Sequence, residues 1–276
     1  MTYDVLGAGA LDYMPCHYGT SKLSFRGPKR NLKEPYLAFL GGTQTFGKFI
    51  EQPYPLRVEH LTGVPSVNFG QINAGLDVFS KEQVVLEASQ QARVTVIEVM
   101  GATNMSNLIY SVHPRRNDRF LRTTAQMRHL YPEVDFSQFN FTKHMLLHLE
   151  AHDQERFQTV KRVLQRTWVR KMRLLLKRLG SAVVLLRIGE SGQKPEGALG
   201  WQDSFAPAFV TDQMIDALSG LVEEFVDVPC AAAQPHVRTD GLVFNFTEEE
   251  AVQKVAAPQC HSKVAQALLP VLDRLM

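Results

Sequence analysis

The sequence predicts an α/β protein, a three-layer α/β/α sandwich with a mainly parallel sheet of about five strands. Short apolar runs, which are typical of strands buried on both faces, recur along the chain. Helical patterns separate these runs, and strands that alternate with helices favour a parallel sheet covered on both faces. The clearest helix, at residues 153–179, is followed at once by an apolar run at 182–188. The prediction of the fold class therefore depends on the alternation of strands and helices along the whole chain.

The first half of the chain contributes three predicted strands. Gly41 closes the first apolar run and Gly101 closes the third, as expected where a buried strand enters a turn. A segment at 111–122 is basic and contains proline, so we expect it to be a loop. The predicted elements are a strand at 36–40, a helix at 56–61, strands at 66–70 and 93–100 with a helix at 84–91 between them, and a helix at 121–130.

The second half is organised around the long helix at 153–179. Asp153 is a good N-terminal cap and Gly180 a good C-terminal one, and apolar residues recur between them every three or four positions. The remaining predicted elements are a strand at 182–188, a helix at 211–221, a partly strand-like segment at 221–228, and a final helix at 262–275 that contains Pro270.

Composition limits the classes of function. The chain has 276 residues, 45% hydrophobic and 21% charged, with a net charge of +2, so no overall field favours nucleic acid. We expect residues 1–34 to form an irregular lead-in packed on one domain at 35–276. No apolar run approaches the roughly 20 residues that span a bilayer, and no signal peptide is evident. Three cysteines are a sparse set for disulfides, which favours a reduced, cytoplasmic protein.

Polar residues follow three of the predicted strands, and these residues are the candidates for catalysis. Parallel strands bring their carboxyl ends to one edge of the sheet, where sites of open α/β proteins form. Thr43 would supply a nucleophilic hydroxyl, and His261 would take its proton. The backbone and side-chain donors of an oxyanion hole would come from the later loops. The blocks concerned are Gly41-Gly42-Thr43, the segment 68–75 with Asn73 and Gly75, and Gly101 to Asn104.

The order of these blocks resembles that of the SGNH (GDSL-type) hydrolase superfamily. That resemblance implies an SGNH- or flavodoxin-like fold and an esterase activity. It also implies a role for each block, with Thr43 as nucleophile, His261 as base, and Asn73, Gly75 and Asn104 around the oxyanion. The chain is also similar over nearly its full length to an uncharacterised bacterial domain family that shares its Phe-Leu-Gly-Gly and His-Pro-Arg-Arg-Asn-Asp blocks, which implies no established activity.

The sequence departs from the SGNH pattern at three positions, and its third block has one extra residue between Gly101 and Asn104. Thr43 stands where the family has serine, and its extra methyl group restricts the side chain. Gly42 replaces the preceding aspartate, and Pro258 replaces the aspartate three residues before the histidine. An imidazole without that carboxylate needs another group to fix its tautomer. A catalytically silent SGNH-like binding protein is therefore a further hypothesis.

A second function is suggested by the loop that contains Thr43. Residues 42–48 match the phosphate-binding pattern G-x-x-x-x-G-K, in which Lys48 would contact phosphate, as in a nucleotide or sulfonucleotide binder of the sulfotransferase type. Phe49, however, stands where the pattern needs a hydroxyl for Mg²⁺. This hypothesis ranks below the hydrolase.

The leading prediction is a hydrolase or acyl-transfer enzyme acting on an ester of a small, anionic or glycan substrate. Arg115 and Arg116 lie in the basic segment after the third block, and guanidinium groups recognise carboxylate, phosphate or sulfate. With Gly42 they form the predicted substrate-binding set. We predict no metal and no cofactor, and the sequence gives no oligomeric state.

Overall fold

The computed structural model describes residues 11–180, 182–190, 201, 205–234 and 240–276. Its strands are β1 (Leu37–Leu40), β2 (Ser66–Asn68), β3 (Val94–Glu98), β4 (Tyr110–Val112), β5 (Phe120–Thr123), β6 (Ala182–Glu190) and β7 (Glu224–Cys230). The helices are α1 (Thr43–Phe46), α2 (Tyr54–Thr62), α3 (Leu76–Lys81), α4 (Gln83–Gln91), α5 (Ala125–Leu130), α6 (Thr142–His152), α7 (Gln154–Leu179), α8 (Asp212–Asp216), α9 (Glu249–Val252) and α10 (Pro258–Leu275). Short 3₁₀ helices lie at Phe136–Gln138, Ser219–Leu221 and Phe246–Glu248.

The main sheet is parallel and has five strands in the order β2-β1-β3-β6-β7. This confirms the predicted sheet. The chain starts at β1, adds β2 on one side and then β3, β6 and β7 on the other. The strand order therefore reverses between β1 and β3. In open α/β sheets such a switch point opens a crevice at the carboxyl ends of the two strands.

Helices cover both faces of the sheet. Leu37 and Phe39 of β1 pack in one core with residues of α2 and α10, whereas Ala38 and Leu40 pack in the other with residues of α3, α4 and α7. This alternation is what a strand buried on both faces requires, because successive side chains point to opposite sides. Trp168 of α7 is fully buried, and its indole N–H donates to the Met100 carbonyl at 2.7 Å.

The predicted boundaries of the long helix are confirmed. Asp153 caps α7 by accepting a hydrogen bond from the Arg156 amide at 2.8 Å. Gly180 follows the last turn in a left-handed conformation, with φ at 65°. Both residues thus act as the sequence predicts, since glycine is the residue that adopts positive φ without steric cost.

Local predictions are wrong in three parts of the chain. The segment 111–122 is not a loop, because β4 and β5 form an antiparallel hairpin there, and the helix expected at 121–130 begins only at Ala125. The helix expected at 211–221 is divided into α8 and a 3₁₀ turn. The last helix begins earlier than predicted, at Pro258, a residue well suited to a first helical position.

The prediction of reduced cysteines is wrong for two of the three. Cys230 at the end of β7 and Cys260 in the first turn of α10 form a disulfide, with Cα atoms 5.5 Å apart. Sequence spacing did not reveal this pair, because β7 and α10 bring the two residues together only in the folded chain. Cys16 is a free, partly buried thiol.

The N-terminal segment from residue 11 packs against the sheet domain. Phe25 is buried, and its ring meets that of Phe69 edge-to-face with centroids 5.2 Å apart. Tyr18 contacts both rings. Within the described residues, no helix is long and apolar enough to cross a membrane.

Candidate functional site

The candidate site lies at the carboxyl ends of β1 and β3, at the switch point of the sheet. Gly41 connects β1 to the turn that carries Thr43, and it has no room for a side chain. A Cβ atom there would lie 2.0 Å from the Thr45 Oγ1 atom and 2.5 Å from the Glu98 Cβ atom. The glycine lets the turn approach the end of β3 closely.

Glu98, the last residue of β3, anchors this turn. Its Oε2 atom accepts hydrogen bonds from the amides of Gly42 and Thr45, each at 2.9 Å, and from the Thr45 hydroxyl. The carboxyl group therefore serves as the N-terminal cap that α1 lacks in its own residues. Burial raises the pKa of Glu98, and these hydrogen bonds oppose that rise. Glu98 is not among the predicted site residues, although a carboxylate inside an otherwise apolar strand was a usable signal.

Replacing Glu98 should test its anchoring role. We expect Glu98→Ala to lower the free energy of unfolding by about 2–4 kcal/mol, because three buried donors lose their acceptor. Glu98→Gln keeps an acceptor oxygen and should cost clearly less. Urea denaturation measures both, with exposed Glu87→Ala as the control. Equal losses for the two Glu98 variants would contradict the role.

Thr43 and Asn73 meet across the crevice, as the sequence predicts. The Thr43 hydroxyl oxygen accepts from the Asn73 amide N–H at 3.0 Å and lies 3.4 Å from the Asn73 side-chain oxygen. Asn73 has a positive φ of 55°, a conformation that asparagine tolerates better than most residues. Asn73 is exposed and Thr43 is partly exposed, so both are accessible to a ligand.

Asn104, from the loop after β3, joins this pair. Its side-chain N–H donates to the Asn73 carbonyl at 3.0 Å, and its side-chain oxygen accepts from the Thr142 hydroxyl at 2.7 Å. Asp118 contributes a carboxylate oxygen 3.4 Å from the Asn73 side-chain nitrogen, and its own carbonyl accepts from the Thr142 amide at 2.9 Å. Asp118 and Thr142 are not among the predicted site residues; they come from the hairpin turn and the start of α6.

The amides of Gly75 and Gly42 bond to other residues of the protein and are not available to a ligand. The Gly75 amide, expected to bind an oxyanion, donates instead to the Asn117 side-chain oxygen at 3.1 Å. A Cβ atom on Gly75 would lie 1.6 Å from the Asn104 carbonyl oxygen, so this glycine permits the close approach of the two loops. The Gly42 amide, expected to bind substrate, donates to Glu98.

The expected hydrogen bond between Thr43 and His261 is absent from the described part of the chain. His261 lies in the first turns of α10 and is 1% exposed. Its Nδ1 atom accepts from the Tyr54 amide at 3.2 Å, and its ring stacks on that of Tyr54. Its Nε2 atom is buried and has no hydrogen-bond partner among the residues that the structure describes. The prediction fails because α10 turns this residue towards α2, not towards the crevice.

The surroundings of His261 also disfavour a base. Burial, followed by the positive charges of Arg26 and Arg57, lowers the pKa of His261 to about 3. An imidazole with so low a pKa and no contact with Thr43 is poorly suited to accept its proton near neutral pH. His261 instead satisfies the first amide of α2.

Arg115 and Arg116 lie on the rim of the site, in the turn between β4 and β5. Both are exposed, and their amides donate to the His113 Nδ1 atom at 3.2 Å. The same turn carries Asp118, which contacts Asn73. The backbone of the two arginines is therefore held in the same turn as Asp118, and their side chains are exposed to solvent.

The loop at 42–48 does not have the form of a phosphate-binding loop. Only the single turn α1 follows Thr43, and Gly47 ends it in a left-handed conformation. The Lys48 ammonium lies over the Phe49 ring, 4.4 Å from its centroid, and burial lowers the pKa of Lys48. A phosphate-binding loop instead opens into a full helix whose N-terminus faces the phosphate.

No group of three metal-ligating side chains occurs in the ranges that the structure describes.

Comparisons with known proteins identify a family. The family model described as a domain of unknown function, DUF6473, matches residues 1–276. No curated protein matches the chain. Among solved structures, the chain is similar to one described as a candidate acylhydrolase from Bacteroides fragilis, at 12% identity and a TM-score of 0.36, over 90% of this chain and 92% of that one. It is also similar to the lipase Lip_vut3 from a goat rumen metagenome, at 11% identity and a TM-score of 0.36, over 84% and 97% of the two chains.

Proposed function

The chain belongs to the DUF6473 family, and we propose that it is an ester hydrolase in which Thr43 is the nucleophile. The observation that carries this proposal is the set of contacts around the Thr43 hydroxyl. The hydroxyl lies at the carboxyl edge between β1 and β3, where Asn73 contacts it and Asn104 contacts Asn73. A nucleophile beside amide donors is the arrangement that acyl transfer requires.

Asn73 and Asn104 are the oxyanion donors in this proposal. A side-chain amide has two N–H bonds, and in each residue the contacts described above use one of them. The second N–H of each is free to bind the oxygen that becomes negative during attack. Loss of one such donor in studied hydrolases lowers kcat by about 10²–10³.

Asp118 replaces His261 as the proposed base. The Asp118 carboxylate contacts the side-chain nitrogen of Asn73. The side-chain oxygen of Asn73 lies 3.4 Å from the Thr43 hydroxyl. In this proposal, water carries the proton from the Thr43 hydroxyl to the Asp118 carboxylate, which is partly exposed and so accessible to solvent. Asp118 then protonates the leaving alcohol.

The proposed reaction has two halves. The Thr43 oxygen bonds to the ester carbon while its proton passes to Asp118. The carbon–oxygen bond to the alcohol then breaks, and the alcohol leaves with that proton. Water next attacks the acyl-threonine, giving the free acid and restoring Thr43. Arg115 and Arg116 would favour esters that carry a carboxylate or sulfate.

A panel of p-nitrophenyl esters tests the proposal. The acetyl and butyryl esters are neutral, whereas the hemisuccinyl ester carries a carboxylate. We expect Asp118→Asn to lower kcat about 100-fold for all three. The double variant Arg115→Gln/Arg116→Gln should raise KM for the hemisuccinyl ester alone.

Matched controls are available on the surface of the chain. Asp216 and Arg93 are exposed and lie on α8 and just before β3, so Asp216→Asn and Arg93→Gln should leave the rates unchanged. Full activity of Asp118→Asn would contradict the base assignment. If no ester is turned over but the hemisuccinyl ester raises the Tm of the chain through Arg115 and Arg116, the silent binding hypothesis replaces the hydrolase.

A further inference from the structure

Asn117 precedes Asp118 in the turn between β4 and β5, and its side chain is buried, with 1% of the residue exposed. A buried side-chain amide uses its hydrogen-bonding groups inside the protein, because an unpaired group costs stability. The amide of asparagine has two donor N–H bonds and one acceptor oxygen. The partners of these groups therefore show which parts of the chain Asn117 joins.

The side-chain oxygen of Asn117 contacts the start of α3. It accepts hydrogen bonds from the amides of Gly75 and Val78, each at 3.1 Å. Gly75 is the N-terminal cap of α3 and has no side chain that could accept from the first turn. The oxygen of Asn117 takes the place of that cap, although Asn117 and Gly75 are 42 positions apart in the chain.

The side-chain nitrogen of Asn117 contacts its own turn. It donates to the carbonyl oxygens of His113 and Pro114, at 3.0 and 3.4 Å. The His113 amide closes the turn by donating to the Arg119 carbonyl at 2.9 Å. One buried side chain thus joins the turn at 113–119 to the start of α3.

The same two segments carry residues of the proposed active site. Asn73 lies two residues before Gly75, and Asp118 follows Asn117. The direct contact of Asp118 with Asn73 is 3.4 Å long, which makes it a weak hydrogen bond. Thr142 also bonds to the Asp118 carbonyl, but it joins the turn to α6 and not to α3. Among the described residues, Asn117 therefore supplies the shorter hydrogen bonds between the two segments.

We propose that Asn117 is a positioning residue, which sets the place of the Asp118 carboxylate relative to Thr43 and Asn73 by holding the turn on α3. The inference rests on the proposed ester hydrolase, in which Asp118 is the base. Asn117 itself does not meet the substrate, because it is buried and its hydrogen bonds go to the protein. A displacement of about 1 Å in a catalytic group can lower a rate by about 100-fold.

Two substitutions separate the two connections that Asn117 makes. Asn117→Asp keeps an acceptor for the α3 amides but places an oxygen against two carbonyl oxygens. We expect it to raise amide hydrogen exchange in the turn at 113–119 and to leave exchange at 75–78 close to that of the wild type. Asn117→Ala should raise exchange in both segments. Mass spectrometry measures the exchange, and Asn245→Asp, the same change at an exposed cap outside the site, is the control.

Kinetics with the p-nitrophenyl esters test whether this connection serves the reaction. We expect Asn117→Asp to lower kcat about tenfold for all three esters, with little change in KM for the neutral ones. The double variant Asn117→Asp/Asp118→Asn should lose no more than Asp118→Asn alone, because the place of the base no longer matters once the base is absent. A side chain that only supports the fold would multiply the two losses.

The proposal is overturned if exchange in the turn is unchanged in Asn117→Asp, if this variant keeps the wild-type kcat, or if the two losses multiply. The exchange measurement needs no ester, so it is independent of the proposed hydrolase. If no ester is hydrolysed, the hydrolase proposal fails. Raised exchange in the turn would then still support the connection that Asn117 makes, and unchanged exchange would overturn it.

Discussion

Thr43→Ala should lower kcat for the best ester in the panel by about a thousandfold or more, with little change in stability. Removing the attacking oxygen leaves only the oxyanion donors and substrate binding, which in studied hydrolases retain a small residual rate. Thr43→Ser should keep activity at or above the wild-type level, because it keeps the hydroxyl and removes the methyl group that restricts it. Steady-state kinetics measure both.

The control for this pair is a threonine outside the site. Thr211 precedes α8 and its side chain makes no capping bond, so Thr211→Ala should match the wild type. Hydrolysis that survives in Thr43→Ala at more than a tenth of the wild-type kcat would exclude Thr43 as the nucleophile. Loss of activity in Thr43→Ser as well would indicate that the side chain supports the turn rather than the reaction.

His261 should make the fold sensitive to acid. Its pKa is about 3 in the folded chain, against about 6.5 when unfolded, so the unfolded chain binds more protons between these values. Stability therefore rises with pH across this window. The contribution of His261 is fully present above pH 6.5 and is lost as the pH falls towards 3, with a total of the order of 5 kcal/mol.

The variant His261→Gln separates this effect from other acid-sensitive groups. Glutamine keeps an acceptor for the Tyr54 amide but does not titrate, so its unfolding free energy should fall less than that of the wild type between pH 7 and 4. Urea denaturation at several pH values measures the difference, and His60→Gln, at an exposed position, provides the control. Parallel curves for the wild type and His261→Gln would refute the assignment.

The fold was predictable where local signals and burial agree. The central strands β1 and β3 are buried on both faces, and α7 has a continuous apolar stripe between Asp153 and Gly180, so the sequence pattern identified them. The β4–β5 hairpin was missed because its strands are short. In β5, only Phe120 and Thr123 are buried, while the basic residues between and around them look like those of a loop.

The site was predictable only in part, for geometric reasons. The contact of Thr43 with Asn73, and of Asn73 with Asn104, follows from three parallel strands ending at one edge. The direction in which His261 points does not follow, because the rotation of α10 about its axis depends on packing against Tyr54. Asp118 enters the site through the missed hairpin, so no strand end in the predicted fold pointed to it.

The disulfide between Cys230 and Cys260 makes the intervening residues a covalently closed ring. This ring includes α9 and leads from the last strand of the sheet into α10. A single break in the backbone within it leaves the two pieces of the chain joined, and α10 stays attached to β7. Insertions, deletions or substitutions between the two cysteines can therefore change this stretch while the disulfide keeps both of its ends together.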